Sequence, residues 1–429
     1  MIIQNPEKQK RFPPNLADHM AQLIPFKALL PDPDLIANVP TRSLYTYTED
    51  ERKESLDMNP SSFLHVLYPD HGQGPRKKGV ERYKAIRQKL QDFKEQGIFQ
   101  HDESATFYVY AIDLDDRSYS GIIAGVSTND YNNDVIKKHE DTLQRRVELF
   151  TNYLEHVQFN AEPVLLTYPD NSAISNWIAK IKSKPPRSSF LGADGGIHSL
   201  WAVSESEAQE ELKVLFASIP SIYIADGHHR SASSAQFTHS MRQNKPEYSG
   251  YEAFNNFMGY LIPESELRIS EFNRMVKDLH GHSTETLLDA LAGDFFLEEA
   301  PYPNLPKEKK SIGMYLQGKW YLLRPKPHQA TATDLVESLD PQILYTRILE
   351  PILGIKDLRK DQRIEYLYGK NSLIQMEEEI DRGNFAVGFG LAPILMSEIK
   401  AVADAGKVMP PKSTYIEPKL LSGLTIYEY

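Results

Sequence analysis

Apolar positions recur at spacings of three and four from Val80 to Gln96, where Tyr83, Ile86, Leu90 and Phe93 form one stripe. Gly97 follows where a left-handed cap belongs, so the pattern predicts an amphipathic helix. Two β-rich runs, Thr106 to Ile112 and Ile122 to Val126, flank the polar turn Asp113 to Ser120 and predict a hairpin. A long helix is expected from Asn133, as N-cap, to Val157, with Ile136, Leu143, Val147, Phe150 and Leu154 on one side and His139 on the same stripe. Further strands are expected at Pro163 to Tyr168 and Ser199 to Val203 with a polar connector between them, then a helix over Ser204 to Ile219 and a short strand over Ile222 to Ala225.

The second half continues in the same mixed manner. A helix near Ser283 to Leu291 precedes a charged loop at Lys307 to Lys310 and a hairpin, Ile312 to Leu316 with Trp320 to Leu323 about Gln317-Gly318-Lys319. Helices near Pro341 to Leu353 and Ser372 to Asp381 bracket a strand at Ile364 to Tyr368, and Phe385 to Leu391 forms a last strand. Strands and helices alternate without one period, which favours a mixed α/β (α+β) fold over a regular doubly wound sheet.

At roughly 150 residues per domain, 429 residues suggest two or three units. The expected division is an N-terminal extension over 1–20, a core over 21–250, and a C-terminal α/β region over 251–429. The absence of cysteine excludes disulfide scaffolds, thiolate metal sites and cysteine nucleophiles. A net charge of −11 speaks against an extended nucleic-acid partner and for a small molecule. No apolar run approaches the length of a membrane helix, and the polar start from Met1 to Arg11 lacks a signal-peptide core, so a cytoplasmic protein is expected.

Chemistry concentrates in Tyr223-Ile224-Ala225-Asp226-Gly227-His228-His229-Arg230, an apolar strand entering a glycine turn and then a helix rich in small residues. Gly227 lets the backbone approach a ligand, and the new helix offers unpaired N–H groups to phosphate. Arg230 adds a fork-shaped donor, Asp226 a carboxylate for a divalent metal or a proton, and His228 and His229 acid–base groups. The competing structural reading makes Asp226 a helix cap and Arg230 a salt-bridge partner. His139-Glu140 lacks the second histidine of a zinc-protease helix, because Leu143 stands there. Glu140 can serve as base or ligand if its segment passes the Asp226 turn. The third candidate is Met409 to Lys419, where prolines present Lys412, Ser413, Thr414, Glu417 and Lys419 from a rigid strap suited to phosphate. Gly388-Phe389-Gly390 is no dinucleotide fingerprint, since Pro393 follows, and neither a phosphate-binding Gly-Lys-Ser/Thr loop nor a Gly-x-Ser-x-Gly elbow occurs.

Taken together, the Tyr223 to Arg230 run, His139-Glu140 with Thr142, Met409 to Thr414, and Glu417-Pro418-Lys419 with Ser422-Gly423-Leu424 resemble domain-of-unknown-function family 1015, described as similar to free serine kinases. Pro25-Phe26-Lys27-Ala28 and Asn59-Pro60-Ser61 extend the resemblance over nearly the whole chain. It implies a nucleotide-binding core of the ParB/sulfiredoxin type and a strap returning toward the site. It also implies ATP or ADP as cofactor with Mg2+, and L-serine as the best single acceptor. Under that resemblance Asp226 assists the metal or the acceptor hydroxyl, His228 and Arg230 hold phosphate, and Gly227 allows close approach. Glu140 is the candidate base, with His229, Lys412, Ser413 and Thr414 as further nucleotide contacts. A homodimer is compatible with this reading. The family's usual Pro-Tyr-Asp is replaced by Pro40-Thr41-Arg42, and no aspartate stands there. A nucleotide-binding regulator without turnover is therefore the main alternative, and a phosphoester hydrolase the third.

Overall fold

The computed structural model describes residues 21–72, 74–301, 309–327, 334–369 and 371–429. The expected extension over 1–20, and Lys307 and Glu308 of the charged loop, lie outside the described residues. The fold is mixed α/β. Its larger sheet has nine strands, in the order 136–137, 222–226, 164–168, 256–263, 117–127, 107–114, 197–203 and 188–191, with 23–24 paired beside 117–127. Most pairings are antiparallel, but 222–226 runs parallel to 136–137, and 256–263 parallel to 164–168. Alternation along the strands sends Ile222, Ile224 and Leu166 to one face and Ala225 and Leu165 to the other.

Each face needs a cover, and the two covers differ. Helices Ser172–Lys182 and Ser206–Phe216 bury Trp177, Ile178, Leu212 and Phe216 against the first face. The C-terminal chain covers the second, with Ile399, Val402, Met409, Ile416, Leu421 and Leu424 in its core. That burial draws the Met409 to Lys419 strap across the sheet. A second, wholly antiparallel sheet runs in the order 295–300, 319–325, 312–316, 387–391, 272–276 and 364–368. The pairing of Arg268–Ser270 with Tyr415–Glu417 joins the strap to the chain that leads from one sheet into the other. No helix among the described residues is long and apolar enough to cross a membrane.

Most predicted elements form, including the helix Gly79–Glu95, the strand Ile364–Tyr368 and the helix Ser372–Asp381. Three differ. The helix expected over Asn133 to Val157 is broken: a short helix Thr128–Asn132 ends at Asn133, Asp134 takes a left-handed φ of 61°, and helix begins again only at Gln144. Between them Val135 and Ile136 are buried and Ile136 pairs with Ile222, so sheet burial of two β-branched residues overrides the helical spacing. His139 and Glu140 therefore lie on extended chain. The connector expected after Tyr168 contains the helix Ser172–Lys182, whose cap Asn171 accepts from Ala173 and Ile174, followed by the strand Ser188–Leu191. The helix expected over Pro341 to Leu353 runs only from Asp340 to Leu344 and then widens into a π-turn over Tyr345–Leu349.

Candidate active site

The strand Ile222–Asp226 ends where the helix His228–Asn244 begins, and Gly227 between them has φ 103°. A Cβ at Gly227 would also meet the Arg230 guanidinium at 3.1 Å, so both the turn and the packing call for glycine. The helix has no side-chain cap. Its first-turn N–H groups and positive dipole end are thus available to an anion.

Asp226 does not cap the helix. Its Oδ2 accepts from Arg230 at 2.9 Å, and Lys419 Nζ lies 3.4 Å from Oδ1. Burial opposes ionisation of this carboxyl, but the charges and hydrogen bonds of Lys419 and Arg230 outweigh it and hold the pKa below the usual value. Arg230 is held in turn by Glu162 at 2.5 Å and by the Pro163 carbonyl at 2.8 Å. Ser422 donates to Glu162 at 2.9 Å, while the Ser422 backbone pairs with Thr41. The Pro40-Thr41-Arg42 segment thereby reaches the Asp226 network without adding an acid. Arg42 itself turns to Glu51, 3.7 Å away.

The second carboxylate is Glu140. It sits on extended chain that bridges to Met409 of the strap, and Met409 N donates to His139 O at 2.8 Å. His228 approaches it with Nδ1 3.6 Å from Oε2, while His228 Nε2 accepts from His139 N at 3.4 Å. A neutral imidazole whose Nε2 accepts carries its proton on Nδ1, facing Glu140. Burial, reinforced by the neighbouring histidines, keeps His228 neutral, and burial holds the His139 pKa near 4. The Glu140 pKa is raised by burial first and then by the charge of Asp226, against the opposing pull of Lys412, Arg359 and Arg146. His139 Nδ1 is buried without a hydrogen-bond partner among the described residues.

The other expected site residues are placed unevenly. Lys412, in a left-handed turn with φ 60°, carries its ammonium 5.3 Å over the Phe272 ring and acts electrostatically on Glu140. The Ser413 hydroxyl is taken up within the strap, donating to Pro410 O at 2.7 Å, and Thr414 is partly exposed beside it. His229 Nε2 accepts from Leu143 N at 3.2 Å, which turns that ring to the start of the helix Gln144–Val157 rather than toward Asp226. Lys419 of the strap meets Asp226, and two residues not singled out from the sequence complete the surroundings: Glu162 and the buried Arg274. Arg274 is 1% exposed, donates to Phe272 O and, at 3.0 Å, to Lys412 O, and forms no ion pair with an acid among the described residues. Spacing gives no signal for Glu162 or Arg274.

Among the described residues no group of three or more histidines and acids is arranged to hold a metal. The described side chains therefore form no all-protein metal cage, and both oxygens of Asp226 already face cations, Oδ2 Arg230 and Oδ1 Lys419.

No curated protein matches the chain in sequence. Solved structures with a similar chain path include a free serine kinase in complex with AMP, at 13% identity and TM-score 0.34 over 70% of this chain and 90% of that one. A free serine kinase variant with ADP shows 14% identity and TM-score 0.35 over 70% and 91%. SbnI with C-terminal truncation, from Staphylococcus aureus, shows 13% and 0.36 over 69% and 82%. Similarity this distant carries no correspondence between residues. Residues 23–342 match the family described as "Protein of unknown function (DUF1015)", and the chain belongs to that family.

Proposed function

We propose that this chain is a nucleotide-dependent phosphotransferase that moves a phosphoryl group from ATP or ADP to a hydroxyl of a small metabolite, with L-serine the first acceptor to test. The observation that carries the reading is an uncapped helix N-terminus beside two carboxylates, Asp226 against the Lys419 ammonium and Glu140 against the His228 ring. Phosphoryl transfer asks a protein mainly for positioning and charge neutralisation. The N–H groups after Gly227, with Lys412 and Lys419, supply positive potential for phosphate oxygens.

Glu140 is the base. Burial and the charge of Asp226 raise its pKa, which improves it as a proton acceptor. The acceptor oxygen attacks the terminal phosphorus, its proton passes to a Glu140 oxygen, and the bond from phosphorus to the leaving nucleotide oxygen breaks. His228, with its proton on Nδ1, orients Glu140 without competing for the proton, because burial keeps the ring neutral. Asp226 stays ionised between Lys419 and Arg230. A magnesium ion arriving with the nucleotide supplies charge neutralisation at the phosphates.

The test is phosphorus NMR of the protein with ATP or ADP, magnesium and a panel of hydroxylated metabolites including L-serine, beside Asp226→Ala. A new phosphoester signal that Asp226→Ala abolishes supports the kinase and names its acceptor. Nucleotide shifts that require Asp226, with no product, replace it by a regulator. Phosphate released without an acceptor replaces it by a hydrolase.

A further inference from the structure

An exposed aromatic stack stands at the rim of this site. Tyr368, the last residue of its strand, is 50% exposed and lies against Tyr415 of the strap, with ring centroids 4.1 Å apart and planes 19° from parallel. Phe272 closes the cluster from the side, edge-on to Tyr368 at 5.5 Å and to Tyr415 at 5.9 Å. The stack is joined to the phosphate end of the site by cations. Lys419 Nζ sits 4.7 Å over the Tyr415 ring and 3.4 Å from Asp226 Oδ1, and Lys412 Nζ sits over Phe272.

A core-filling role does not account for this arrangement. Phe272 is buried, Tyr415 is partly covered, and the outermost ring keeps half its surface in water. A flat π surface backed by a second ring, with two ammonium groups between it and an uncapped helix N-terminus, is complementary to a ligand that is aromatic at one end and anionic at the other. Three successive contacts of 4.1, 4.7 and 3.4 Å link Tyr368 through Tyr415 and Lys419 to Asp226.

We propose that the Tyr368–Tyr415 stack is the nucleobase platform of this site, with the base lying on the open face of Tyr368 and its phosphates directed past Lys419 and Lys412 to the Gly227 turn. This rests on the nucleotide reading above and assigns a subsite to the C-terminal sheet. Stacking accepts any base, so the platform favours nucleotides over bare polyphosphates without choosing adenine over guanine.

The experiment is calorimetric titration of wild type, Tyr368→Ala and Tyr368→Phe with ADP and, separately, with inorganic pyrophosphate, which has no base. The platform requires Tyr368→Ala to weaken ADP by about tenfold, leave pyrophosphate unchanged, and be rescued by Tyr368→Phe. Unchanged ADP affinity in Tyr368→Ala overturns the platform and leaves the nucleotide reading standing. Parallel loss of ADP and pyrophosphate also overturns it, since the substitution then acts on the site as a whole. If wild type binds pyrophosphate but gains nothing from the base, the platform fails alone. If wild type binds neither, the nucleotide reading fails with it. Tyr368 is exposed, so the variants are expected to fold, and melting curves check this.

Discussion

Asp226 and Glu140 have the same side-chain exposure, 42%, and face the same site, yet their proton affinities move in opposite directions. Burial opposes charge on both. Asp226 is touched by Lys419 and Arg230, whereas among the described residues Glu140 has only a neutral imidazole at 3.6 Å and feels its cations from farther away. Direct ion pairing separates the two carboxyls, and exposure does not. In the proposed phosphotransferase such a split would make Asp226 the anchoring anion and Glu140 the proton acceptor. The largest expected effect follows from it: Glu140→Gln should lower kcat by about 10²–10⁴-fold while ADP affinity changes little, as initial rates and titration would show. A loss confined to KM would make Glu140 a binding group and dissolve the contrast.

The cations on each side offer the next test. In the proposed site Lys412→Ala removes an ammonium offered to phosphate and should weaken ADP by about ten- to a hundredfold. Lys412 also pulls the Glu140 pKa down, so its removal should move the ascending limb of kcat/KM to higher pH. Asp226→Asn removes a charge that pushes that pKa up, and should move the same limb to lower pH in whatever activity remains. Limbs moving in the same direction would show that these charges do not act on one base.

A smaller effect concerns stability. The folded-state pKa of Asp226 is depressed, so this group stabilises the fold above its unfolded value of 3.8, and that contribution is lost as pH falls through the folded value. Glu140 is raised, so ionising it opposes folding above the unfolded value of 4.5, fully so above its folded pKa. At pH 7, Asp226→Asn should therefore lower the melting temperature and Glu140→Gln should raise it. Each change is on the order of 1 kcal/mol or less, because exposure screens both groups. Calorimetric melts at pH 7 and pH 4 would check the signs, and the difference should shrink at the lower pH.

The fold was legible where one periodicity dominated. The stripe Ile86, Leu90, Phe93 and the turn Gln317-Gly318 each left a single local solution, and both form as read. The segment 133–143 was not legible, because Val135 and Ile136 are buried by pairing with a strand almost ninety residues away, and helical spacing carries no trace of that partner. The Asp226 turn could be singled out because its chemistry is contiguous. Its setting could not: Glu162 and Arg274 come from distant segments, Lys419 was read on the strap but not as the partner of Asp226, and Arg230, read as a phosphate fork, is committed to Asp226, Glu162 and Pro163. Glu140 reaches the site on extended chain, where the sequence put it on a helix.

At Arg274 a buried cation behaves unlike the cations of the rim. Lys412 and Lys419 keep one end in water, whereas Arg274 is enclosed, and burial holds its pKa near 10. Its guanidinium is answered by carbonyls, Phe272 O from the strand and Lys412 O from the strap. The rigid fork thus fixes the left-handed turn at Lys412, a conformation a lysine does not favour by itself. Arg274→Lys keeps the charge but places a single ammonium where two carbonyls must be bridged. The strap should loosen there while Met409 and the pairing of Tyr415–Glu417 still hold its flanks. Trypsin should then cut after Lys412 several-fold faster than in wild type, with bound ADP restoring protection by engaging the lysine. Equal cleavage rates would show that the flanks alone fix the turn, and Arg274 would be only a buried charge of the second sheet.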